Sequence, residues 1–118
     1  MDRTEARAAA MKLIYEWQMG GDGGEETRMG LLEIRPNEKE ADFMDALIEQ
    51  YAANWRIDRI EKVTLAILRL AIYELKYEDL PGGVAINEAL ELARTYASPQ
   101  SVAFVNGILG SVQRALNA

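Results

Sequence analysis

Apolar residues recur along the chain at every third or fourth position, which is the spacing of one face of an α-helix. One such stripe predicts a helix over residues 3–19, and a second stripe, between Met44 and Trp55, predicts a helix over residues 38–54. No segment shows the alternation of apolar and β-branched residues with polar ones that a half-buried strand requires. The sequence therefore predicts an all-α protein.

The most apolar stretch covers residues 65–75 and is interrupted only by Arg69 and Glu74, with Thr64 just before it. The helix that contains this stretch is predicted over residues 65–77. A helix that is apolar on nearly all sides must be buried on nearly all sides. The stretch is shorter than the roughly 20 apolar residues that a membrane span needs. We therefore expect this helix to lie at the centre of a helical bundle.

Proline and glycine mark further boundaries. A short helix is predicted over residues 25–34, and an amphipathic helix follows the break at 81–83. The last helix is predicted to begin at Ser98, whose hydroxyl would cap it, with Pro99 at its first position. Gly107 lies inside this last helix, where we expect it to permit close helix packing.

Composition limits the chemistry available to the protein. Its 118 residues, 49% of them apolar, are enough for one domain with its own core. The chain has no Cys and no His, which excludes a thiolate nucleophile, an imidazole base and a Cys/His zinc site. The N-terminus lacks the basic start and apolar run of a secretory signal, so we expect a cytoplasmic protein that does not enter a membrane.

Charge is distributed unevenly along the chain. The formal net charge is −6, and residues 16–50 alone hold ten acidic and three basic side chains. Non-specific affinity for nucleic acid comes mainly from clustered Lys and Arg. A domain of this charge would therefore bind nucleic acid poorly on its own. The acidic excess shows no spacing typical of a paired-carboxylate catalyst or a metal cage.

Three motifs go beyond generic amphipathicity, and they occur in a fixed order: AILRLAIYEL at 66–75, VAINEALELA at 84–93 and FVNGIL at 104–109. Together with LIYEWQ at 13–18, they resemble the NusB family of transcription antitermination factors. The resemblance implies a compact bundle of about six to seven helices in two sub-bundles. It also implies a single RNA-binding domain over residues 1–118, in which residues 20–42 form a shortened, variable connecting region.

The same resemblance implies a function without catalysis and without a cofactor or metal. Members of the family pair with a NusE-like ribosomal protein, bind single-stranded boxA RNA and join the antitermination complex of RNA polymerase, chiefly on ribosomal RNA operons. An alternative hypothesis is that the protein is a NusB-fold protein interaction module, or a homodimer, with little RNA binding.

The family resemblance places the RNA-binding arm at the start of the first helix, where this chain has only Arg3 and Arg7. These two side chains would contact RNA phosphates or be solvated charges at a helix start, and Arg7→Glu would then weaken binding and flatten its salt dependence. Tyr15, near the same end, would stack on a base or pack half-buried against the bundle.

A second set of candidates lies around the last helix, where the resemblance implies RNA contacts from Gln100, Ser101 and Phe104. Phe104 would serve as a base platform or as a core residue. Arg69 would reach an RNA phosphate or form a salt bridge with Glu74 or Glu88.

Two departures from the family pattern affect the expected charged contacts. Ala103 replaces a basic residue, and Thr64-Leu65 replaces an acidic residue followed by a basic one. We expect both departures to weaken electrostatic contacts with RNA or with the partner.

Overall fold

The computed structural model describes residues 3–19, 38–52, 57–78 and 81–117, and these residues form helices and no strands. The all-α class is therefore confirmed. The predicted short helix over 25–34 lies outside the described residues. No helix within the described ranges is long and apolar enough to cross a membrane. The helices are α1 (Arg3–Gln18), α2 (Glu38–Tyr51), a short 3-10 helix (Ile57–Arg59), α3 (Lys62–Tyr77), α4 (Gly82–Tyr96) and α5 (Pro99–Leu116).

Helix α3 is the centre of the fold, as its apolar sequence predicts. It packs against each of the other four α-helices. Every residue from Thr64 to Ile72 is buried, so the helix is enclosed over more than two turns. It begins at Lys62, three residues before the predicted start, because Lys62 and Thr64 are polar and interrupt the apolar signal in the first turn.

The three polar residues that interrupt the apolar sequence of α3 are all buried, and each is bonded to another helix. Thr64 contacts Ser101 on α5, Arg69 contacts Asp45 on α2, and Glu74 contacts Arg7 on α1. Buried polar groups are costly unless they are paired. These residues therefore fix how three of the surrounding helices sit on the apolar helix.

Helix α5 begins as the sequence predicts, with one difference in how its start is bonded. Ser98 is the N-cap residue and Pro99 occupies the first turn, but the Ser98 side chain caps no backbone amide. Its hydroxyl lies 3.0 Å from the Ser101 hydroxyl instead. The prediction of a capping hydroxyl is therefore wrong, because the Ser98 hydroxyl contacts the Ser101 side chain and not a backbone amide of the first turn.

Gly107 does not serve close packing: it is exposed, and a Cβ built on it would meet nothing within 4 Å. Gly107→Ala is therefore expected to stabilise the protein by about 0.5–1 kcal/mol, because Ala loses less backbone entropy in a helix interior. Urea unfolding of the two proteins measures the difference. A lower midpoint for the Ala variant would show that this position needs glycine.

Candidate nucleic-acid interface

A groove with a volume of about 330 Å³ lies between the start of α3 and the start of α5. We call it the Phe104 groove. It brings together three of the residues singled out in the sequence, Gln100, Ser101 and Phe104. The other lining residues are Arg59, Ile60, Glu61, Thr64 and Ser98.

The three predicted residues have different environments within the groove. Gln100 is exposed, so its amide is available to a ligand. Ser101 is buried, with its hydroxyl in contact with Thr64 and Ser98, so it supports the wall of the groove. Phe104 is half-buried and packs against the hydrophobic core while also lining the groove. It therefore packs as a core residue, and the groove that it also lines leaves the alternative of a base platform open.

Thr64 shows how the structure compensates for one departure from the family pattern. Its hydroxyl lies 2.9 Å from Oε1 of Glu61. Glu61 precedes Thr64 by about one helical turn, and its side chain is exposed. A carboxylate is therefore present beside the position where the sequence lacks an acidic residue. The spacing of three residues between Glu61 and Thr64 was the available signal, because side chains so spaced lie on one face of a helix.

Arg59 was not among the sequence candidates, although it is an exposed cation that lines the groove. It belongs to the short 3-10 helix that precedes α3. A lone Arg in a connecting segment carries no pattern that distinguishes it from other surface charges. Only the fold, which places this segment beside α5, reveals it.

Arg7 occupies neither of the two environments that the sequence suggested. It is 6% exposed, and its Nε donates a hydrogen bond to Oε2 of Glu74 over 2.7 Å. Its Nη1 is buried and has no hydrogen-bond partner among the described residues. In this arrangement the guanidinium holds α1 against α3, so the geometry does not favour a solvated charge or an RNA contact. Arg3, one turn earlier, begins α1, and its side chain lies outside the described residues.

The pKa of the Glu74 carboxyl lies clearly above its ordinary value. Burial raises the pKa of the Glu74 carboxyl, and the nearby carboxylates of Glu78 and Glu88 raise it further. The guanidinium of Arg7 opposes this shift through its charge and its hydrogen bond. The buried acid therefore depends on Arg7 to remain ionised.

Arg69 adopts the structural role rather than the phosphate-binding one. Its Nε and Nη2 donate to the two carboxylate oxygens of Asp45 over 2.9 and 2.8 Å. Its Nη1 donates to Oε1 of Gln18, whose own amide donates to the carbonyl of Lys62. The prediction of Glu74 as its partner is wrong, because Glu74 pairs with Arg7. The bidentate partner is Asp45, on a helix whose position the sequence does not give.

Two aromatic side chains near α1 remain on the surface. Tyr15 is 39% exposed, so its ring is accessible for stacking. Tyr96, at the end of α4, is 40% exposed, and Nζ of Lys12 lies 5.1 Å from the centre of its ring. Lys12 is thus a further exposed cation on α1, held in place by a cation–π contact that the sequence alone does not show.

Comparison with known proteins gives consistent matches over nearly the whole chain. The model of the NusB family matches residues 38–114. A transcription antitermination protein NusB from Acetivibrio thermocellus is 42% identical in an alignment that covers 95% of this chain and 88% of the relative.

Solved structures match as well. The NusB of T. maritima superposes with a TM-score of 0.79 at 30% identity, over 97% of this chain and 92% of that one. A crystal structure of the antitermination factors NusB and NusE in complex with dsRNA matches with a TM-score of 0.77 at 25% identity, over 96% of both chains.

Proposed function

This chain belongs to the NusB family of transcription antitermination proteins, and from that premise we propose that it binds boxA RNA jointly with a NusE-like ribosomal protein. In this role it joins the antitermination complex of RNA polymerase on ribosomal RNA operons, in the cytoplasm and without catalysing a reaction. The Phe104 groove is the observation that carries the proposal. It offers a half-buried aromatic ring, an exposed amide at Gln100 and an exposed cation at Arg59 beside one another.

The chemistry of this groove suits a single-stranded nucleic acid. Unstacked bases pack on aromatic side chains, and their edges hydrogen-bond to polar groups. Phosphate attraction, in contrast, is weak in a chain with a formal charge of −6. A basic ribosomal protein would supply that attraction, so the pair would bind RNA more tightly than this chain does alone.

Titration of labelled boxA RNA with this protein, with and without the NusE-like partner, tests the proposal. A scrambled RNA of the same length is the control. We expect tight binding of boxA RNA only when both proteins are present, and weaker binding of the scrambled RNA. Equal affinity for the two RNAs in both titrations would contradict the proposed function.

The second candidate function, an interaction module or homodimer with little RNA binding, is favoured by one feature of the site. Arg7 is buried in an ion pair and Ala103 is an exposed neutral residue, so two positions expected to contact phosphate do not present a charge. Sedimentation of the purified protein at several concentrations, together with the RNA titration, separates the two functions. A stable dimer with no boxA preference would favour the second.

Restoring a cation at position 103 is expected to increase RNA affinity. Ala103 is exposed on α5, one residue before Phe104, so Ala103→Lys adds a charge next to the groove without disturbing the core. One extra phosphate contact on a single strand steepens the dependence of log affinity on log salt by about 0.7. Binding of boxA RNA by the pair at several salt concentrations measures both effects.

Ala115→Lys is the matched control, because Ala115 is also exposed on α5 but lies three turns further along the helix. We expect Ala115→Lys to leave the affinity for boxA RNA and its dependence on salt concentration nearly unchanged. An equal effect of the two lysines would indicate a general charge effect rather than a contact at the groove.

A further inference from the structure

Four side-chain oxygens form a continuous chain along the Phe104 groove. The Ser98 and Ser101 hydroxyls lie 3.0 Å apart, and the Ser101 and Thr64 hydroxyls lie 3.1 Å apart. The Thr64 hydroxyl then lies 2.9 Å from Oε1 of Glu61. Thr64 and Ser101 are buried, whereas Ser98 is half-buried and Glu61 is exposed, so both ends of the chain are accessible from the groove.

The carboxylate at one end fixes the direction of every hydrogen bond in the chain. A carboxylate only accepts, so Thr64 donates its single hydroxyl hydrogen to Glu61. The hydrogen in the contact between Thr64 and Ser101 must then come from Ser101, and the hydrogen between Ser101 and Ser98 must come from Ser98. All three hydroxyl hydrogens are consumed within the chain. The Ser98 oxygen therefore faces the groove with lone pairs only.

Lone pairs at both ends determine which ligand atoms the groove accepts. A phosphate oxygen carries lone pairs and negative charge, and would meet repulsion at Ser98 and at Glu61. An N–H group can donate to either end. The exocyclic amino groups of adenine, cytosine and guanine are such donors, whereas a uracil carbonyl at the same place is not. Gln100 both donates and accepts, so it does not discriminate among bases.

We infer that the Phe104 groove selects an amino-bearing nucleobase of single-stranded RNA, with the amino group donating to the Ser98 oxygen and the base packed on Phe104. Ser98, Ser101, Thr64 and Glu61 are then specificity-determining residues, of which only Ser98 touches the base. This inference rests on the proposed function and names the chemical group that the site reads. The groove volume of about 330 Å³ accommodates one base.

The test uses the full chain with its NusE-like partner and a set of boxA RNAs in which one base at a time loses its exocyclic amino group. For the wild type, we expect deletion at one position to lower affinity about tenfold, as for a lost base-edge hydrogen bond, and deletions elsewhere to have little effect. The ratio of affinities for the parent and the amine-deleted RNA is the readout. If these residues had only a structural role, replacing them would not change that ratio.

Two variants address the two parts of the inference. Ser98→Ala removes the acceptor, so the ratio is expected to fall from about ten to about one. Thr64→Val keeps the size of the side chain and leaves Ser98 in place, but it releases the Ser101 hydrogen from the chain. Ser101 can then donate to Ser98, whose own hydrogen becomes able to point into the groove. The ratio is therefore expected to fall here too, although the contacting residue is unchanged.

Ser111→Ala is the matched control, because Ser111 also lies on α5 but its hydroxyl accepts a hydrogen bond from Arg114 outside the groove. The ratio of affinities for the parent and the amine-deleted RNA is expected to be the same in Ser111→Ala as in the wild type. Thermal unfolding of each variant checks that it is folded. A Thr64→Val protein that is folded and keeps a tenfold ratio would overturn the role of the hydroxyl chain.

Other results would overturn the inference in distinguishable ways. If the wild-type pair binds boxA RNA but tolerates every amine deletion, the proposed function stands and the base selection fails. If Ser98→Ala weakens all RNAs equally and flattens the salt dependence, Ser98 contacts phosphate. If Ser98→Ala weakens binding of the partner without RNA and leaves the ratio unchanged, the groove contacts protein. Absence of any RNA binding by the pair would overturn both the proposed function and the inference.

Discussion

Arg7→Met is expected to lower the free energy of unfolding by about 3–5 kcal/mol at pH 7, the cost of removing one partner from a buried ion pair. Arg7 and Glu74 have side chains that are 7% and 11% exposed, so water cannot solvate the carboxylate that remains. Met retains most of the length of the Arg side chain, so loss of packing contributes little. Urea unfolding at equilibrium measures the change. If the free energy of unfolding depends on urea concentration with the same slope in both proteins, the folded state is otherwise preserved.

The destabilisation should depend on pH. The pKa of Glu74 is already raised by burial above its ordinary value of about 4.5, and loss of Arg7 raises it further. The folded state then holds the proton more tightly than the unfolded state does, so the contribution of Glu74 to stability is greatest below pH 4.5 and falls as pH rises through the native pKa. We therefore expect the difference in free energy of unfolding between wild type and Arg7→Met to be small at pH 4 and to grow as the pH rises towards 7.

The double variant Arg7→Met/Glu74→Leu provides the control. Replacing a buried ion pair by apolar side chains of similar volume is often neutral or stabilising, so the double variant should regain most of the lost stability and lose the pH dependence. A loss below 1 kcal/mol in Arg7→Met, combined with a tenfold loss of RNA affinity, would instead place Arg7 at the RNA.

The buried pair also changes how Arg7→Glu must be interpreted. The family resemblance suggests this substitution as a test of RNA contact through the salt dependence of binding. In the structure, it would place a second carboxylate against Glu74 in a buried site, with Glu78 and Glu88 nearby. We expect the protein to unfold, so weakened RNA binding by this variant would not identify a contact.

Phe104→Leu is expected to lower the affinity of the pair for boxA RNA by about tenfold or more, since stacking on an aromatic ring contributes roughly 1–3 kcal/mol per base. Leu keeps an apolar side chain against the core, where Phe104 packs, but it removes the flat face that lines the groove. Equilibrium titration of labelled RNA measures the loss. The free energy of unfolding should change far less than in Arg7→Met.

Phe43→Leu is the matched control, because Phe43 is the other phenylalanine of the chain and is 38% exposed on α2. It lies outside the Phe104 groove, with Nζ of Lys76 at 5.4 Å from the centre of its ring. We expect RNA affinity to be unchanged in this variant. If both substitutions weaken binding equally, or if neither does, Phe104 is not a base platform.

The positions of the described helices along the chain could be predicted from the sequence alone, because apolar periodicity and helix breakers are local signals. The continuous apolar run of α3 also predicted its central position, since such a helix has no face to expose. The burial of Arg7 also has a local signal in the sequence. Arg7 precedes Ala10, Met11 and Ile14 by three, four and seven positions, so it lies on the stripe of α1 that is buried.

Local patterns and motifs are therefore sufficient to predict the all-α class, the central helix and the family to which the chain belongs. The tertiary structure alone decided which charges pair: Arg7 with Glu74 across 67 positions, and Arg69 with Asp45 across 24. It also decided that Glu61, Thr64, Ser98 and Ser101 share one groove. The physical reason is that a helical pattern fixes the face on which a residue lies, whereas its partner depends on how two helices are rotated and aligned against each other.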